Sequence, residues 1–168
     1  MEDLLKELGK RVAQKNITVC LVRHGSYIRD WLNPLYGHLT SDGIDEIKGL
    51  CKHLKSVAGE KQITLWTSPE KRAVESTEII SKNLKSENFT GTFVEKEIFG
   101  EITTYYTNIF DDCEYCDKGN FVIIVSHEPT IHSIGYQIVQ KSFWVRSAET
   151  VVIYPDLSYK YIKNNSVL

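Results

Sequence analysis

Three short apolar runs, Ile17–Val22, Ile63–Trp66 and Phe121–Val125, are each followed at once by polar residues and then by a segment with helical periodicity. Short runs rich in β-branched residues read as strands covered on both faces. Strands that alternate with helices in this way specify a largely parallel sheet, because parallel neighbours need a long crossover and a helix supplies it. After the first run, Ile44, Ile47, Leu50, Cys51, Leu54 and Val57 mark the buried stripe of a helix opening near Ser41. After the second, Ser68 is the expected cap and Pro69 the first helical position, with Ala73, Val74, Thr77, Ile80 and Leu84 facing the sheet. After the third, Pro129 opens a helix whose stripe is Ile131, Ile134, Ile138 and Val139. The expected fold is an α/β three-layer sandwich with a mostly parallel central sheet flanked by helices.

The rest of the chain fits around that core. Glu149–Tyr154 and Ser158–Ile162, separated by Pro155-Asp156, read as late strands forming an edge hairpin. The spacing of Leu4, Leu5, Leu8 and Val12 predicts an amphipathic N-terminal helix. Residues 81–92 and 111–120 read as exposed connections. With 168 residues and no repeat or linker-like tract, the expectation is one domain spanning 1–168.

A formal net charge of −2 gives no basic field with which to hold nucleic acid or an anionic membrane, so neither is an expected partner. Residues 1–15 lack the apolar stretch of a signal peptide and no run reaches the length of a membrane span, which predicts a cytoplasmic protein. The four cysteines make no disulfide framework. Cys113 and Cys116 form a lone C-x-x-C without the second ligand pair that a structural zinc needs, and read as an incidental loop pair.

In open parallel sheets, ligands bind beyond the carboxyl ends of the strands. Those ends here carry Arg23-His24-Gly25, Ser68 with Arg72 one turn further on, and His127. Two guanidinium groups and two imidazoles therefore meet at one edge. Guanidinium donors match phosphate oxygens in pairs, and helix N-termini add partial positive charge, so the cluster suits a tetrahedral anion. An imidazole with one nitrogen held as a donor presents the other as a lone pair for attack on phosphorus. Gly25 is expected to let the backbone approach the phosphate. Charge in the transition state is then met by Arg23, Arg72 and His127, and no metal or cofactor is required.

These residues also stand in a familiar order. Leu21-Val22-Arg23-His24-Gly25 resembles the R-H-G signature of the histidine phosphatase (phosphoglycerate mutase-like) superfamily. Gly37-His38-Leu39-Thr40-x-x-Gly43 resembles its P-L-T-x-x-G step, and Thr67-Ser68-Pro69-x-x-Arg72-Ala73-x-x-Ser76-Thr77 its S-P-x-x-R-A-x-x-T segment. Val125-Ser126-His127-Glu128-Pro129 resembles the later V-x-H element, so the likeness runs from about residue 17 to about residue 140. The resemblance implies that His24 is phosphorylated during turnover and that Arg23, Arg72 and His127 form the phosphate pocket. It also implies a proton donor in a segment like E-x-x-F/Y-G. Glu97 is preferred to Glu95 and Glu101 for that role, although it stands one residue closer to Phe99-Gly100 than the pattern asks. Ser26–Asn33 departs from the family's R-H-G-E-[ST]-x-W-N continuation, which implies a different recognition loop.

That loop offers Ser26 and His38 as further substrate contacts, while His53 and His132 lie on helices and read as structural or exposed. Glu128 reads as a helix cap in preference to an acid. Arg29 and Arg146 stand open between solvated charge and substrate contact. The expected activity is a metal-independent phosphomonoester phosphatase acting on a phosphorylated small molecule or phosphoprotein. Its alternatives are a protein phosphohistidine phosphatase, of the kind compact members of the family represent, and a noncatalytic module that binds phosphorylated ligands.

Overall fold

The computed structural model describes residues 2–84, 89–92, 110, 113 and 117–164, with backbone only for 2–6 and 89–92. Its elements are α1 (Glu2–Gln14), β1 (Ile17–Arg23), α2 (Ser41–Ala58), β2 (Gln62–Thr67), α3 (Lys71–Leu84), β3 (Phe89–Thr92), β4 (Asn120–Ser126), α4 (Glu128–Val139), β5 (Thr150–Ile153) and β6 (Tyr159–Ile162). The six strands lie in the order β3-β2-β4-β1-β5-β6. The first four are mutually parallel, and β5 and β6 run antiparallel as the hairpin at one edge.

The sheet is covered on both faces, and its central strands are apolar on both sides along Val19–Val22 and Phe121–Val125. In β4, Val122 and Ile124 pack with Leu8 and Val12 of α1 and Ile131, Ile134 and Ile138 of α4. Its alternate residues Phe121, Ile123 and Val125 pack with Ile47, Leu50 and Leu54 of α2 and Ala73, Ile80 and Leu84 of α3. This period-two division of one continuous apolar run produces the three layers.

Three expectations need correction. The stretch 81–92 is not one exposed connection: residues 81–84 complete α3 and Phe89–Thr92 is an edge strand paired with β2. Nor is 111–120 simply exposed, since Cys113 is buried and Asn120 opens β4; Cys116 lies outside the described residues. Finally, α3 opens at Lys71 rather than at Pro69. The backbone carbonyl of Glu70, not the Ser68 side chain, accepts from Ala73 N and Val74 N at 2.9 and 3.0 Å.

Candidate active site

Register brings the chemistry together. Arg23 of β1 lies opposite Ser126 of β4, and Thr67 of β2 opposite Val125, so the three parallel strands end level with one another. The ladder continues one residue further, with His24 N donating to Ser126 O at 3.0 Å and Ser68 N to Val125 O at 2.9 Å. His24, Ser68 and His127 therefore leave the sheet side by side, at the edge where the chain order of the strands reverses.

His24 is only 2 % exposed. Its Nδ1 lies 2.8 Å from Gly25 O, a carbonyl that can only accept, so Nδ1 carries the proton and Nε2 the lone pair. Burial pushes the His24 pKa down to about 4; the Gly25 bond opposes this, and the positive fields of Arg72, Arg23 and His127 add to it. The ring is thus neutral at pH 7 and nucleophilic at Nε2.

Arg72 Nε donates to that same Nε2 at 3.0 Å. Its guanidinium carbon stands 4.4 Å from the centre of the Tyr27 ring, which also meets His24 edge-on at 5.3 Å. Through Nη2, Arg72 pairs with Glu70 Oε2 at 2.5 Å, and Glu70 Oε1 lies 3.9 Å from His127 Nε2. His24, Arg72, Glu70 and His127 form a connected series. Arg23 stands on the other flank: Nη1 donates to Val145 O at 2.8 Å and pairs with Glu128 Oε2 at 3.5 Å. Its buried Nε has no hydrogen-bond partner among the described residues. Glu128 is therefore an ion-pair partner of Arg23 and not a cap; His127 holds the cap position of α4 and its carbonyl accepts from Ile131 N.

The turn after His24 is possible because two glycines meet. A Cβ on Gly25 would stand 2.6 Å from Gly43 O, and one on Gly43 would stand 2.1 Å from Ser26 O. Gly25 is thus required by close packing on the first turn of α2, a different reason from the approach to phosphate expected of it. Gly25 N donates to the buried Ser76 Oγ at 3.1 Å, and that hydroxyl donates to Arg72 O at 2.7 Å, which ties the loop after His24 to α3.

Ser26 and His38 each bond a carboxylate from a flanking helix. Ser26 N and Oγ both donate to the Glu46 carboxylate, at 3.0 and 2.9 Å. His38 Nδ1 pairs with Glu75 Oε1, whose Oε2 accepts from Leu39 N at 2.7 Å. Glu46, Glu75, Ser76, Tyr27 and Glu70 are the residues that sequence reasoning missed. Only Ser76, inside a recognised motif, carried any signal. Glu97, Glu95 and Glu101 lie outside the described residues. Among the described residues no three His, Cys, Asp or Glu side chains are grouped to hold a metal ion, and no helix is long and apolar enough to cross a membrane.

No family model matches the sequence, and no curated protein does. Solved structures do match in shape. The protein histidine phosphatase SixA in complex with tungstate superposes with a TM-score of 0.59 at 18% identity, over 86% of this chain and 94% of that one. Phosphoglycerate mutase from Plasmodium falciparum gives 0.59 at 20% identity, covering 90% and 91%. Phosphoserine phosphatase from Entamoeba histolytica in complex with 3-phosphoglyceric acid gives 0.54 at 14%, covering 90% and 98%. With TM-scores of 0.54 to 0.59 over 86 to 90% of the chain, the protein has the histidine phosphatase (phosphoglycerate mutase-like) fold.

Proposed function

We propose that this protein is a phosphatase that hydrolyses a phosphomonoester in two steps through a phosphohistidine on His24. One observation carries the reading: a buried, neutral imidazole whose Nδ1 proton is fixed on Gly25 O and whose Nε2 lone pair accepts from a phosphate-type donor, Arg72 Nε. In the first step Nε2 attacks phosphorus in line as Arg72 turns its N–H groups from Nε2 to the phosphoryl oxygens. The P–O bond to the leaving group breaks, and its electron pair stays on that oxygen, which takes a proton from an acid. We assign that acid to Glu97. In the second step the Glu97 carboxylate takes a proton from water, whose oxygen attacks the phosphorus of phospho-His24; the P–N bond breaks, its electron pair returns to Nε2, inorganic phosphate forms and the acid is restored.

Arg23, Arg72 and His127 surround the anion in this reading, and the buried Nε of Arg23 is a donor waiting for an acceptor. Ser26 and His38 are anchors of the recognition loop. Their carboxylate partners Glu46 and Glu75 belong to α2 and α3, so the loop is fixed at both ends.

A second reading, a protein phosphohistidine phosphatase, is favoured by one observation. Trp31, Leu32, Leu35 and Tyr36 are exposed together on that loop, by 77%, 72%, 57% and 46%. The loop backbone is held by Ile28 N to His38 O at 2.8 Å and Gly37 N to Ile28 O at 3.0 Å, and the same loop carries Tyr27, whose ring meets His24 and Arg72; exposed apolar side chains on it suit a macromolecular substrate.

The test is a turnover panel of p-nitrophenyl phosphate, sugar phosphates and a phosphohistidine peptide with wild type and His24→Ala. Loss of turnover in the variant is expected, and equal activity of the two proteins would remove the assignment. Glu97→Gln separates the readings: an alkyl phosphomonoesterase loses roughly 10²-fold or more with its acid, whereas turnover of phosphohistidine is little changed.

A further inference from the structure

We propose that Glu70 determines specificity: it is a resident carboxylate on the Arg72–His127 edge of the pocket that disfavours doubly charged phosphoryl groups and so selects singly charged ones. The proposal rests on the phosphoryl-site reading above and names the charge state that the site accepts.

Glu70 is held in place by its own backbone. Its carbonyl accepts from Ala73 N and Val74 N, which makes it the residue on which α3 begins and fixes where its side chain starts. From there Oε2 reaches Arg72 Nη2 at 2.5 Å and Oε1 lies 3.9 Å from His127 Nε2. Glu70 Oε2 is buried against the guanidinium as an ion pair without a hydrogen bond among the described residues, and so occupies a place that a phosphoryl oxygen would take on Arg72. An incoming anion must therefore displace Glu70 from Arg72 or sit beside it.

Charge decides which anions do so readily. His24 is neutral, Arg72 is matched by Glu70, and Arg23 is matched by Glu128 at 3.5 Å. Among the described residues, each of the two guanidinium charges is thus matched by a carboxylate before any ligand enters. Each further negative charge on the ligand meets Glu70 directly at a partly desolvated site, where like charges interact far more strongly than in water. Phosphomonoesters take up their second charge near pH 6. The site therefore favours the form that carries a single charge and takes the dianion less well.

The experiment is calorimetric titration of inorganic phosphate and of sulfate into wild type, Glu70→Gln and Glu70→Ala at pH 5.5 and 8.0, with turnover measured alongside. Sulfate remains a dianion at both pH values, whereas phosphate changes from mainly singly to mainly doubly charged. Among the described residues, the titratable and charged groups of this pocket are Glu70 and Arg72 at the start of α3, His127 and Glu128 at the start of α4, and His24 and Arg23 at the end of β1, with Tyr27 over Arg72. All but Glu70 are common to the three proteins, so differences between proteins isolate Glu70. Gln keeps the shape and an acceptor for Arg72 while removing the charge. The expected result is sulfate binding tighter by about tenfold in both variants at both pH values, with phosphate tighter by about tenfold at pH 8.0 and by only about two- to threefold at pH 5.5. Dissociation constants within twofold of wild type, weaker binding in the variants, or no anion binding by any of the three would overturn it. A large loss of kcat in Glu70→Gln with unchanged anion affinity would also overturn it, marking Glu70 as a proton donor instead. Tighter anion binding in the variants without turnover of any phosphorylated substrate by wild type would sustain this inference and count against the phosphatase reading alone.

Discussion

The two arginines that flank His24 are the same residue type in opposite circumstances. Arg72 reaches the reactive nitrogen itself, stacks on Tyr27 and pairs with Glu70. Arg23 is fastened to a backbone carbonyl, Val145 O, and to Glu128 from the neighbouring helix. In the proposed reaction the α3 flank exchanges partners, whereas the β1 flank stays where it is. Electrostatic catalysis needs both, since donors must be pre-placed, yet a donor lying on the nucleophile's lone pair has to yield before attack can occur.

The largest effect expected is on the exchanging flank. Arg72→Ala removes a donor to the phosphoryl oxygens and a positive field on His24, and kcat/KM should fall by about 10³-fold, with Arg72→Lys recovering little because a point charge lacks the fork. Arg23→Lys should fall less, by about 10²-fold, since the β1 flank supplies field and a single fixed donor. Steady-state kinetics on whichever panel substrate is turned over decides this. Equal losses would dissolve the distinction between the two flanks.

Both flanks act on His24, and stability against pH reads their joint effect. The ring's pKa lies at about 4 in the folded protein against an ordinary value of 6.5, chiefly through burial. Between these values the unfolded chain binds a proton that the folded one refuses, so stability is greatest above pH 6.5 and declines as pH falls toward 4. The decline amounts to about 3 kcal/mol from this residue. Urea unfolding from pH 7 to 4.5 should show that slope in wild type and lose it in His24→Ala. An unchanged slope would mean that neither burial nor the arginines disfavour the imidazolium. Activity should likewise persist to about pH 5 before its acid limb appears.

How much of this was legible in the sequence follows from the range of the interactions. Strands β1, β2 and β4 were readable because each is a short, largely apolar run rich in β-branched residues, and α2 and α4 because their stripes repeat at helical spacing. The four-residue β3, Phe-Thr-Gly-Thr, was not, since it contains a glycine and is too short for any period to register. The approach of Arg72 to His24 could be anticipated from strand ends alone. Glu70 could not, for it occupies a position that the S-P-x-x-R segment leaves unspecified. Glu46 and Glu75 were invisible for another reason: each acts across 20 or 37 residues of chain on a loop partner, Ser26 or His38, that reads from sequence as a substrate contact.

Ser76 tests what keeps the exchanging flank in register. Its hydroxyl bridges Gly25 N and Arg72 O within the core. Ser76→Ala leaves a buried N–H without its acceptor, and the expected cost is about 2 kcal/mol in denaturant unfolding. A fall in kcat/KM of about tenfold should accompany it, because His24 and Arg72 lose their shared tie. Loss of stability with full activity would show that the α3 flank keeps its alignment through Tyr27 and packing.

The smallest effect belongs to Glu128, and it bears most directly on the contrast between the flanks. Its pair with Arg23 is 3.5 Å long and partly exposed, with side-chain exposures of 20% and 32%, so solvent screens it. Such a pair is worth under about 1 kcal/mol, and Arg23 retains the Val145 carbonyl when it is lost. Glu128→Gln should therefore change the dissociation constant of phosphate by no more than about twofold at 0.15 M salt, well short of the change expected for Glu70→Gln. If the two substitutions tightened phosphate binding equally, the pocket would respond to total charge alone, and where each carboxylate sits relative to His24 would cease to matter.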